Sequence, residues 1–386
     1  EGHLDIDVLQ RAVNEIVGRH EACRVTFRVR DGEPIQVVEP RAELPIEFRD
    51  LRSISDGALA EVAMSLMRAE IGRPFDLEAG PLIRMLLLQV APQIHFFVAS
   101  AHHIAADGWS MGVFIRELTS LYAALRAGGS PELPPLRVQY SDFAAWQRHH
   151  LQGQKLESQL AYWKRQLAEP VAVLSVPTDR LRPARPSYRG AHATHTLSKA
   201  ASVLFRTLAQ REHSTSFIAF LALFHVLLHR LSGQTDISIG TPVANRSRLA
   251  TEGLIGFFAN TLVIRADLSG HPGFREVLRR VQRLVLEAQE NQDIPFEKLV
   301  AELKPTRDLS RNPFFDAMFA LRHGEDARLE LPGVVASVVD LGGGATSKFD
   351  LTLTVTDATD GFSIDLEYST DLFDRGTAGL FVERLQ

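Results

Sequence analysis

Apolar residues recur along the chain with the periods of amphipathic helices and of short strands. Residues 24–38 alternate in polarity about Asp31-Gly32, a pattern typical of a β-hairpin. Near the start of the chain, helical spacing predicts a buried face made of Leu9, Ala12, Val13, Ile16 and Val17. The same periods predict helices at 57–71, 111–126, 199–212, 215–231, 272–290 and 296–303, a long helical region at 140–167, and strands at 81–90, 95–101, 191–197, 236–243, 262–267, 314–322, 334–340, 348–356 and 361–369. Because both halves mix strands and helices, the pattern predicts an α/β or α+β layered fold.

The domain organisation follows from length and from one shift in composition. A chain of 386 residues is long enough for two or three domains. Residues 169–190 are rich in proline and arginine, which favours a linker. The sequence therefore predicts an N-terminal domain at 1–168, a linker at 169–190 and a C-terminal domain at 191–386. The chain begins without methionine and ends inside an apolar pattern, so we expect it to be part of a longer polypeptide.

Composition excludes several classes of protein. The net charge is −5 and no block of basic residues stands out, which argues against nucleic-acid binding. The longest apolar stretch, 217–231, contains His225 and His229 and is too short to span a membrane. It predicts a core helix closed by Gly233, with the histidines in core or capping roles. A single cysteine, Cys23, indicates a reducing compartment, and we expect the cytoplasm.

The chemistry concentrates at residues 102–108, His-His-Ile-Ala-Ala-Asp-Gly, between a predicted strand and a predicted helix. An imidazole that titrates near neutrality, a carboxylate and open backbone are the parts that an acyl-transfer site needs. Neighbouring side chains on a strand point to opposite faces, so His102 and His103 are poorly placed to share a metal ion. The second doublet, His149-His150, has no acid at the same offset, and we interpret it as a solvated helix end.

Seven segments occur in an order that is typical of one family. They are Arg19-His20-Glu21-Ala22-Cys23-Arg24, Phe75-Asp76-Leu77 with Gly80-Pro81-Leu82 and Arg84, residues 102–110 (HHIAADGWS), 140–146 (YSDFAAW), 255–261 (IGFFANT), 291–297 (NQDIPFE) and 307–313 (RDLSRNP). With these segments the chain resembles the condensation domain of non-ribosomal peptide synthetases, of the L-to-L type. Cys23, Val25 and Ala259 replace the residues that are usual in the family, and the family's first motif is absent.

The resemblance implies a fold and a reaction. Members of the family pair two lobes similar to chloramphenicol acetyltransferase in a V, with a tunnel between them. A latch is expected within 340–370 and a floor loop near 291–313. The implied partners are the upstream and downstream peptidyl carrier protein domains and a neighbouring adenylation domain. The domain itself is expected to bind no cofactor and no metal, because 4′-phosphopantetheine arms carry the substrates. The triplet 342–344 (GGG) is not expected to bind phosphate, because a strand and not a helix follows it.

The resemblance also implies roles for the signature residues. His103 is the expected catalytic imidazole, either as a general base or as the group that orients the amine. His102 is expected to hold the strand. Asp107 is either a catalytic acid or, as the family favours, an ion-pair anchor, for which Arg24 is a plausible partner. Gly108 either leaves room for the pantetheine arm or forms the turn that begins the helix.

Further candidates for contact with the substrate are spread over the second half of the chain and one signature position. Core hydrogen bonding explains some of them equally well. They are Trp109, Asn260, Gln292, Asp293, Ser310 and Arg311.

Two other functions compete with peptide-bond formation. One is an acyltransferase that uses acyl-coenzyme A; the chain lacks the Asp-Phe-Gly-Trp-Gly segment of the plant enzymes of that class. The other is a non-catalytic domain that docks carrier proteins or recruits a partner enzyme. Relatives with that role usually lose the signature, which is intact here.

Overall fold

Helices and strands follow one another from Ile6 to Glu383 in the computed structural model, which describes residues 1–130, 132–168, 171–305, 308–324, 329–339, 341 and 346–385. In chain order the helices are α1 (Ile6–Arg19), α2 (Asp56–Gly72), α3 (Gly108–Arg126), α4 (Tyr140–His150), α5 (Gly153–Gln166), α6 (Lys199–Arg211), α7 (Ser216–Ser232), α8 (Leu249–Glu252), α9 (Phe274–Glu290), α10 (Phe296–Leu303) and α11 (Arg375–Glu383). The strands are β1 (Val25–Arg30), β2 (Glu33–Val38), β3 (Ile46–Asp50), β4 (Ile83–Ala91), β5 (Ile94–Ala101), β6 (Gly190–Thr196), β7 (Asp236–Val243), β8 (Asn260–Asp267), β9 (Ala317–His323), β10 (Leu351–Ala358) and β11 (Gly361–Ser369).

The described residues pack as two units, and each unit takes more than one segment of the chain. Unit 1 contains Glu1–His149, Arg246–Ala259 and the described part of Asp326–Leu341. The described residues of His150–Asn245, Asn260–Glu325 and Gly342–Gln386 form unit 2. The predicted division into 1–168 and 191–386 is linear, whereas packing assigns α5 to unit 2 and two later segments to unit 1.

Unit 1 has its core where α1 and α3 pack against each other. Asp5 caps α1 by accepting a hydrogen bond from the backbone N–H of Val8 at 3.0 Å, and the predicted apolar face of α1 is buried. Among the described residues of this unit, β1 and β2 form a two-stranded hairpin, and β3, β4 and β5 form a three-stranded sheet. The hairpin turn has positive φ at Asp31 (53°) and Gly32 (81°), as a two-residue type I′ turn requires.

Unit 2 has a larger core built on a mixed sheet. Its described strands are ordered β6-β11-β10-β9-β7-β8, with β9 parallel to both β7 and β10 and the other pairs antiparallel. Helices α7 and α9 pack together and contact this sheet. Thr215 caps α7, and Gly233 ends it in the left-handed conformation with φ of 71°, as predicted. The mixed α/β class predicted from the sequence is confirmed.

The predicted linker is bound along unit 2. The backbone N–H groups of Asp179 and Arg180 both donate to the carbonyl of Leu372, at 2.9 and 3.2 Å. Arg182 donates to Asp350 Oδ1 at 2.9 Å, and Arg180 forms an ion pair with Asp374. Arg180 and Arg182 of the predicted linker therefore pair with aspartates that are distant in sequence. The predicted range also includes residues 169 and 170, which lie outside the described residues.

Two predictions about local structure differ from the observed chain. The helical region at 140–167 is two helices, because α4 ends at His150 and α5 begins at Gly153, where φ is +52°. The strand predicted at 334–340 is not formed at 335–339, where Val335 and Val338 are 75% and 101% exposed. The backbone of Val335 bonds only to that of Glu1 among the described residues, which makes an isolated contact and not a strand. Asp340 itself lies outside the described residues.

The latch expected within 340–370 and the floor loop expected near 291–313 stay predictions. Residues 246–259 and the described residues of 326–341 pack in unit 1, whereas the described residues of 291–313 and of 346–370 pack within unit 2. Residues 351–358 and 361–369 form strands β10 and β11 of the large sheet in unit 2. The glycine triplet at 342–344 lies outside the described residues.

None of the described helices is by itself long and apolar enough to cross a membrane. Helices α6 and α7 meet the length and composition criteria only when taken as a pair, and that pair is bent by 101°.

Candidate active site

The side chain of His103 is exposed in the turn between β5 and α3. Its Nδ1 lies 3.0 Å from the carbonyl oxygen of Ala106. A carbonyl oxygen only accepts hydrogen bonds, so Nδ1 must carry the proton that is donated. In the neutral ring, Nε2 therefore keeps its lone pair and is the basic atom. The fold thus selects the tautomer of His103 before any substrate binds.

His102 has the opposite tautomer in its neutral form. The backbone N–H of Ile104 donates to His102 Nδ1 at 3.1 Å, so the proton of the neutral ring is on Nε2. The ring lies against Phe75, with centroids 5.8 Å apart, and the Arg84 guanidinium stacks 3.7 Å from the centroid of Phe75. Arg84 is in turn held by Glu70 at 2.6 Å, and both are buried. The expected scaffold role of His102 is supported by these contacts.

Asp107 is the N-cap of α3 and is 4% exposed. Its Oδ1 accepts hydrogen bonds from the backbone N–H and the hydroxyl of Ser110, at 2.8 and 2.7 Å. Its Oδ2 accepts from the backbone N–H groups of Phe258 and Ala259, at 3.0 and 3.2 Å. Both oxygens are thus occupied by bonds that join the start of α3 to the backbone of residues 258 and 259. The geometry favours the anchor over the catalytic acid.

The ion-pair partner of Asp107 is Arg246, and the prediction of Arg24 is wrong. Arg246 Nη2 donates to Asp107 Oδ1 at 3.1 Å, and both side chains are 2% exposed. Burial lowers the pKa of the Arg246 guanidinium, and the charge of Asp107 opposes that effect. Among the described residues, Arg24 instead donates to the backbone carbonyls of Val17, Gly18 and Glu39.

Gly108 begins α3 in open space. A Cβ at this position would meet no heavy atom within 4 Å, and φ lies outside the left-handed region. Neither crowding nor backbone conformation therefore demands a glycine here, which weakens the interpretation of Gly108 as a required turn. The neighbouring Trp109 is 44% exposed and donates from Nε1 to the carbonyl of Glu252 at 2.8 Å.

The segment Arg246–Ala259 is the part of the site that sequence reasoning missed, and we call it the anchored loop. It carries Arg246, and its backbone both donates hydrogen bonds to the rest of unit 1 and accepts them from it. The fully buried His20 accepts at Nδ1 from the backbone N–H of Ile255 at 3.3 Å, and its Nε2 donates to Glu117 at 2.9 Å. The hydroxyl of Tyr140 donates to the carbonyl of Phe257 at 2.9 Å. Three of the family-like segments, 19–24, 140–146 and 255–261, thus meet at this loop.

Asn260, Gln292 and Asp293 lie in unit 2. Asn260 is 8% exposed and donates from Nδ2 to the carbonyls of Gln292 and Ile294, at 2.8 and 2.7 Å. Its Oδ1 accepts from the backbone N–H of Phe296 at 2.9 Å. Asp293 forms an ion pair with Lys155 at 2.6 Å. Asn260 therefore acts as a clamp on the loop before α10, which is the core role weighed from the sequence.

Ser310 and Arg311 lie in another part of unit 2. The hydroxyl of Ser310 donates to Asp308 at 2.7 Å, within a local turn. Arg311 donates to the buried Asp316 at 2.5 Å and lines a pocket of about 150 Å³ with Arg182 and Asp350. Burial and the charge of Asp350 raise the pKa of Asp316. In the described structure both residues thus have local structural partners.

The histidines of the apolar stretch and of the second doublet lie away from this site. His225 lies between the carbonyls of Leu221 and Ile264, and His229 contacts the carbonyl of Gln234 at 2.7 Å. His149 is exposed near the end of α4. Within the described residues, no group of three or more His, Cys, Asp and Glu side chains is arranged to hold a metal ion.

A sequence model described as the condensation domain matches residues 1–386. The chain belongs to the condensation domain family. It is 45% identical over 378 residues to chondramide synthase cmdD of Chondromyces crocatus, an alignment that covers 98% of this chain and 10% of the relative. Malpinin synthetase of Mortierella alpina is 41% identical over 377 residues, which cover 98% of this chain and 5% of that protein. The chain thus spans a small part of the curated relatives that it matches. The family resemblance inferred from the seven segments is confirmed.

Solved structures agree with this family. The X-domain from teicoplanin biosynthesis is 31% identical, with a TM-score of 0.88 over 100% of this chain and 86% of that one. The same X-domain in complex with OxyB matches with a TM-score of 0.87, over 100% of this chain and 84% of that one. The first condensation domain of the calcium-dependent antibiotic synthetase, solved with a substrate analogue, matches with a TM-score of 0.79, at 20% identity over 100% and 88% of the two chains. At that identity the last match shows the fold alone.

Proposed function

We propose that this condensation domain joins two aminoacyl groups by an amide bond. The donor is an aminoacyl or peptidyl thioester on an upstream peptidyl carrier protein. The acceptor is the amine of an aminoacyl thioester on a downstream carrier protein, and both groups arrive on 4′-phosphopantetheine arms. The single observation that carries the proposal is the exposed His103, whose hydrogen bond to Ala106 leaves Nε2 as the basic atom.

His103 handles one proton in this reaction. An α-amino group has a pKa of about 7.7–8.0, so part of the acceptor is already a free amine near neutrality. Nε2 of His103 accepts a hydrogen bond from this amine and orients it towards the thioester carbonyl. When the C–N bond forms, the nitrogen becomes positively charged and Nε2 takes the excess proton. The C–S bond then breaks, and the proton is returned to the leaving sulfur.

Gly108 gives the arm a place beside this imidazole. The open space at its Cβ position lies at the first residue of α3, five residues after His103. We infer that a side chain there would obstruct the thioester on its way to Nε2. We assign to Gly108 the role of leaving that space free.

The test is amide formation by this chain with two loaded carrier proteins. Replacement of His103 by alanine is expected to lower kcat by about 10²–10⁴-fold if Nε2 transfers the proton, and by less if it only orients the amine. His149→Ala, a change at an exposed histidine of the second doublet, is the matched control and should keep the full rate. Equal rates for the wild type and the His103→Ala variant would overturn the proposal.

A second function deserves the same experiment because of one comparison. The 31% identical X-domain has been solved in complex with OxyB, so a fold of this kind also occurs bound to another protein. If this chain only recruits a partner, it will bind carrier proteins or another enzyme and release no dipeptidyl product. A third arm with a free coenzyme A thioester as donor separates carrier-dependent transfer from an acyltransferase that accepts diffusible substrates.

A further inference from the structure

Phe257 packs against the ring of His103. The two ring centroids lie 4.9 Å apart and the ring planes are inclined by 65°. Ile255 and Phe258, on either side of it in the anchored loop, are 3% and 1% exposed, whereas Phe257 is only half-buried. Ile255 and Phe258 are therefore buried in unit 1, whereas the side chain of Phe257 contacts the imidazole of His103.

The backbone around Phe257 is fixed on both sides. Its carbonyl accepts the hydroxyl of Tyr140 at 2.9 Å, and the next two backbone N–H groups donate to Asp107. On the other side, the N–H of Gly256 donates to the Ser110 hydroxyl at 3.1 Å. A Cβ at Gly256 would lie 2.4 Å from Cδ2 of Tyr140, so the loop reaches this place only with glycine there.

We infer that Phe257 is a positioning residue that holds the imidazole of His103 in its reactive orientation. The inference rests on the proposed function of His103. The hydrogen bond to Ala106 fixes only one edge of an exposed ring, and the second constraint must come from a contact with its face or other edge. Aromatic pairs at this distance stabilise one arrangement enough to change populations by about three- to tenfold. Asp107, which does not bond His103 in the described structure, acts on the imidazole through the loop that carries Phe257.

The experiment compares three variants of this chain with loaded carrier proteins. Phe257→Leu is expected to lower kcat by about three- to tenfold with little change in KM, because it removes the aromatic contact and keeps an apolar side chain. Phe257→Tyr keeps the ring and should restore most of the rate. Phe48→Leu, at an equally large but 43% exposed phenylalanine on β3, is the matched control and should behave as wild type.

A second readout does not depend on catalysis. In protein with ¹⁵N-labelled histidine, the nitrogen shifts of His103 report its tautomer, and the wild type should show Nδ1 protonated. Phe257→Leu is expected to move these shifts towards a mixture of tautomers. Tyr140→Phe removes only the hydroxyl that donates to the Phe257 carbonyl, and it should move the His103 shifts in the same direction by a smaller amount. This variant replaces Phe257→Leu in the test if Phe257→Leu does not fold.

The outcomes separate the two proposals. Unchanged nitrogen shifts and unchanged kcat in Phe257→Leu would overturn the positioning role, whatever His103 does. Full activity of His103→Ala would overturn the proposed function, while a shift of the His103 signals in Phe257→Leu would still support the contact.

Discussion

Asp107 and Arg246 are separated by 139 residues and form an ion pair in which both side chains are 2% exposed. Asp107 begins α3, and Arg246 begins the anchored loop. Arg246 also donates to the carbonyls of Thr251 and Leu254, at 2.6 and 2.8 Å. It therefore stabilises the conformation of the anchored loop and also bonds that loop to α3. The aspartate of the signature therefore acts on the site by holding a distant segment in place.

The first prediction concerns the strength of this pair. Arg246→Met leaves the carboxylate of Asp107 buried without its cation, which should cost about 3–5 kcal/mol in the free energy of unfolding. Asp107→Asn removes the opposite charge, and the double variant should be less unstable than the sum of the two. Urea unfolding of the four proteins measures the coupling energy. Arg24→Met is the matched control, because its effect should simply add to that of Asp107→Asn. Strong coupling of Asp107 to Arg24, or none to Arg246, would contradict the structure.

The second prediction separates folding from access at Gly108. The position is exposed and a Cβ would meet no heavy atom within 4 Å, so Gly108→Leu should change stability by less than about 0.5 kcal/mol. Peptide-bond formation should nevertheless fall by about 100-fold or more, because the proposed role of Gly108 is to leave the approach to His103 free. Gly57→Leu near the start of α2, where a Cβ also meets nothing within 4 Å, is the control for stability and rate. An active Gly108→Leu variant would show that no substrate passes this residue.

The local elements were predictable because their signals are local. Strand β7 at Asp236–Val243 and helix α10 at Phe296–Leu303 have the predicted bounds, since their apolar periods and flanking turn residues lie within a few positions. Strand β3 at Ile46–Asp50 was missed, because only Ile46 is buried and the other four residues are exposed. An edge strand of this kind is defined by its partner β4, which no window of sequence contains.

The partners within the candidate site were not predictable for the same reason. The resemblance favoured an ion-pair anchor at Asp107, but it did not identify the partner. Arg246 lies in the sequence between β7 and β8 of unit 2, and no sequence spacing relates it to α3. Likewise, the proline- and arginine-rich composition of 169–190 favoured a linker, because the aspartates that bind Arg180 and Arg182 are more than 150 residues away. Composition describes a segment, whereas charge pairing depends on what the fold brings beside it.

The third prediction tests whether residues 179–187 are bound. The N–H groups of Asp179 and Arg180 donate to Leu372, and that of Ser187 donates to Asp371 Oδ2 at 2.7 Å. Hydrogen exchange at these three amides should be much slower than in an unstructured peptide. Asp371→Ala should accelerate exchange at Ser187 and leave Asp179 slow, which makes Asp179 an internal control. Exchange at peptide rates throughout this segment of the wild type would show that it is a free linker.

The last prediction uses His225, which is fully buried in α7 between two carbonyl oxygens at 2.9 and 3.2 Å. Burial lowers the pKa of His225 to about 4 from its ordinary value of 6.5, although the carbonyls of Leu221 and Ile264 oppose the shift. Between these two values the unfolded chain binds a proton that the folded chain does not. The contribution of neutral His225 to the free energy of unfolding is therefore fully present above pH 6.5, and it is lost as the pH drops towards 4.

The size of the effect follows from the same two values. A shift of this size removes about 3 kcal/mol in all, with a slope approaching about 1.4 kcal/mol per pH unit. Urea unfolding between about pH 4.5 and 7.5, followed by the fluorescence of the buried Trp163 in the same unit, measures that slope. His225→Leu should lower the slope by up to about 1.4 kcal/mol per pH unit, which is the value for one proton. Leu228→Ala, at a fully buried leucine of the same helix, should lower stability and keep the wild-type slope, because leucine binds no proton. If the slope of His225→Leu equals that of the wild type, His225 does not carry the acid sensitivity of this unit, and another buried group must.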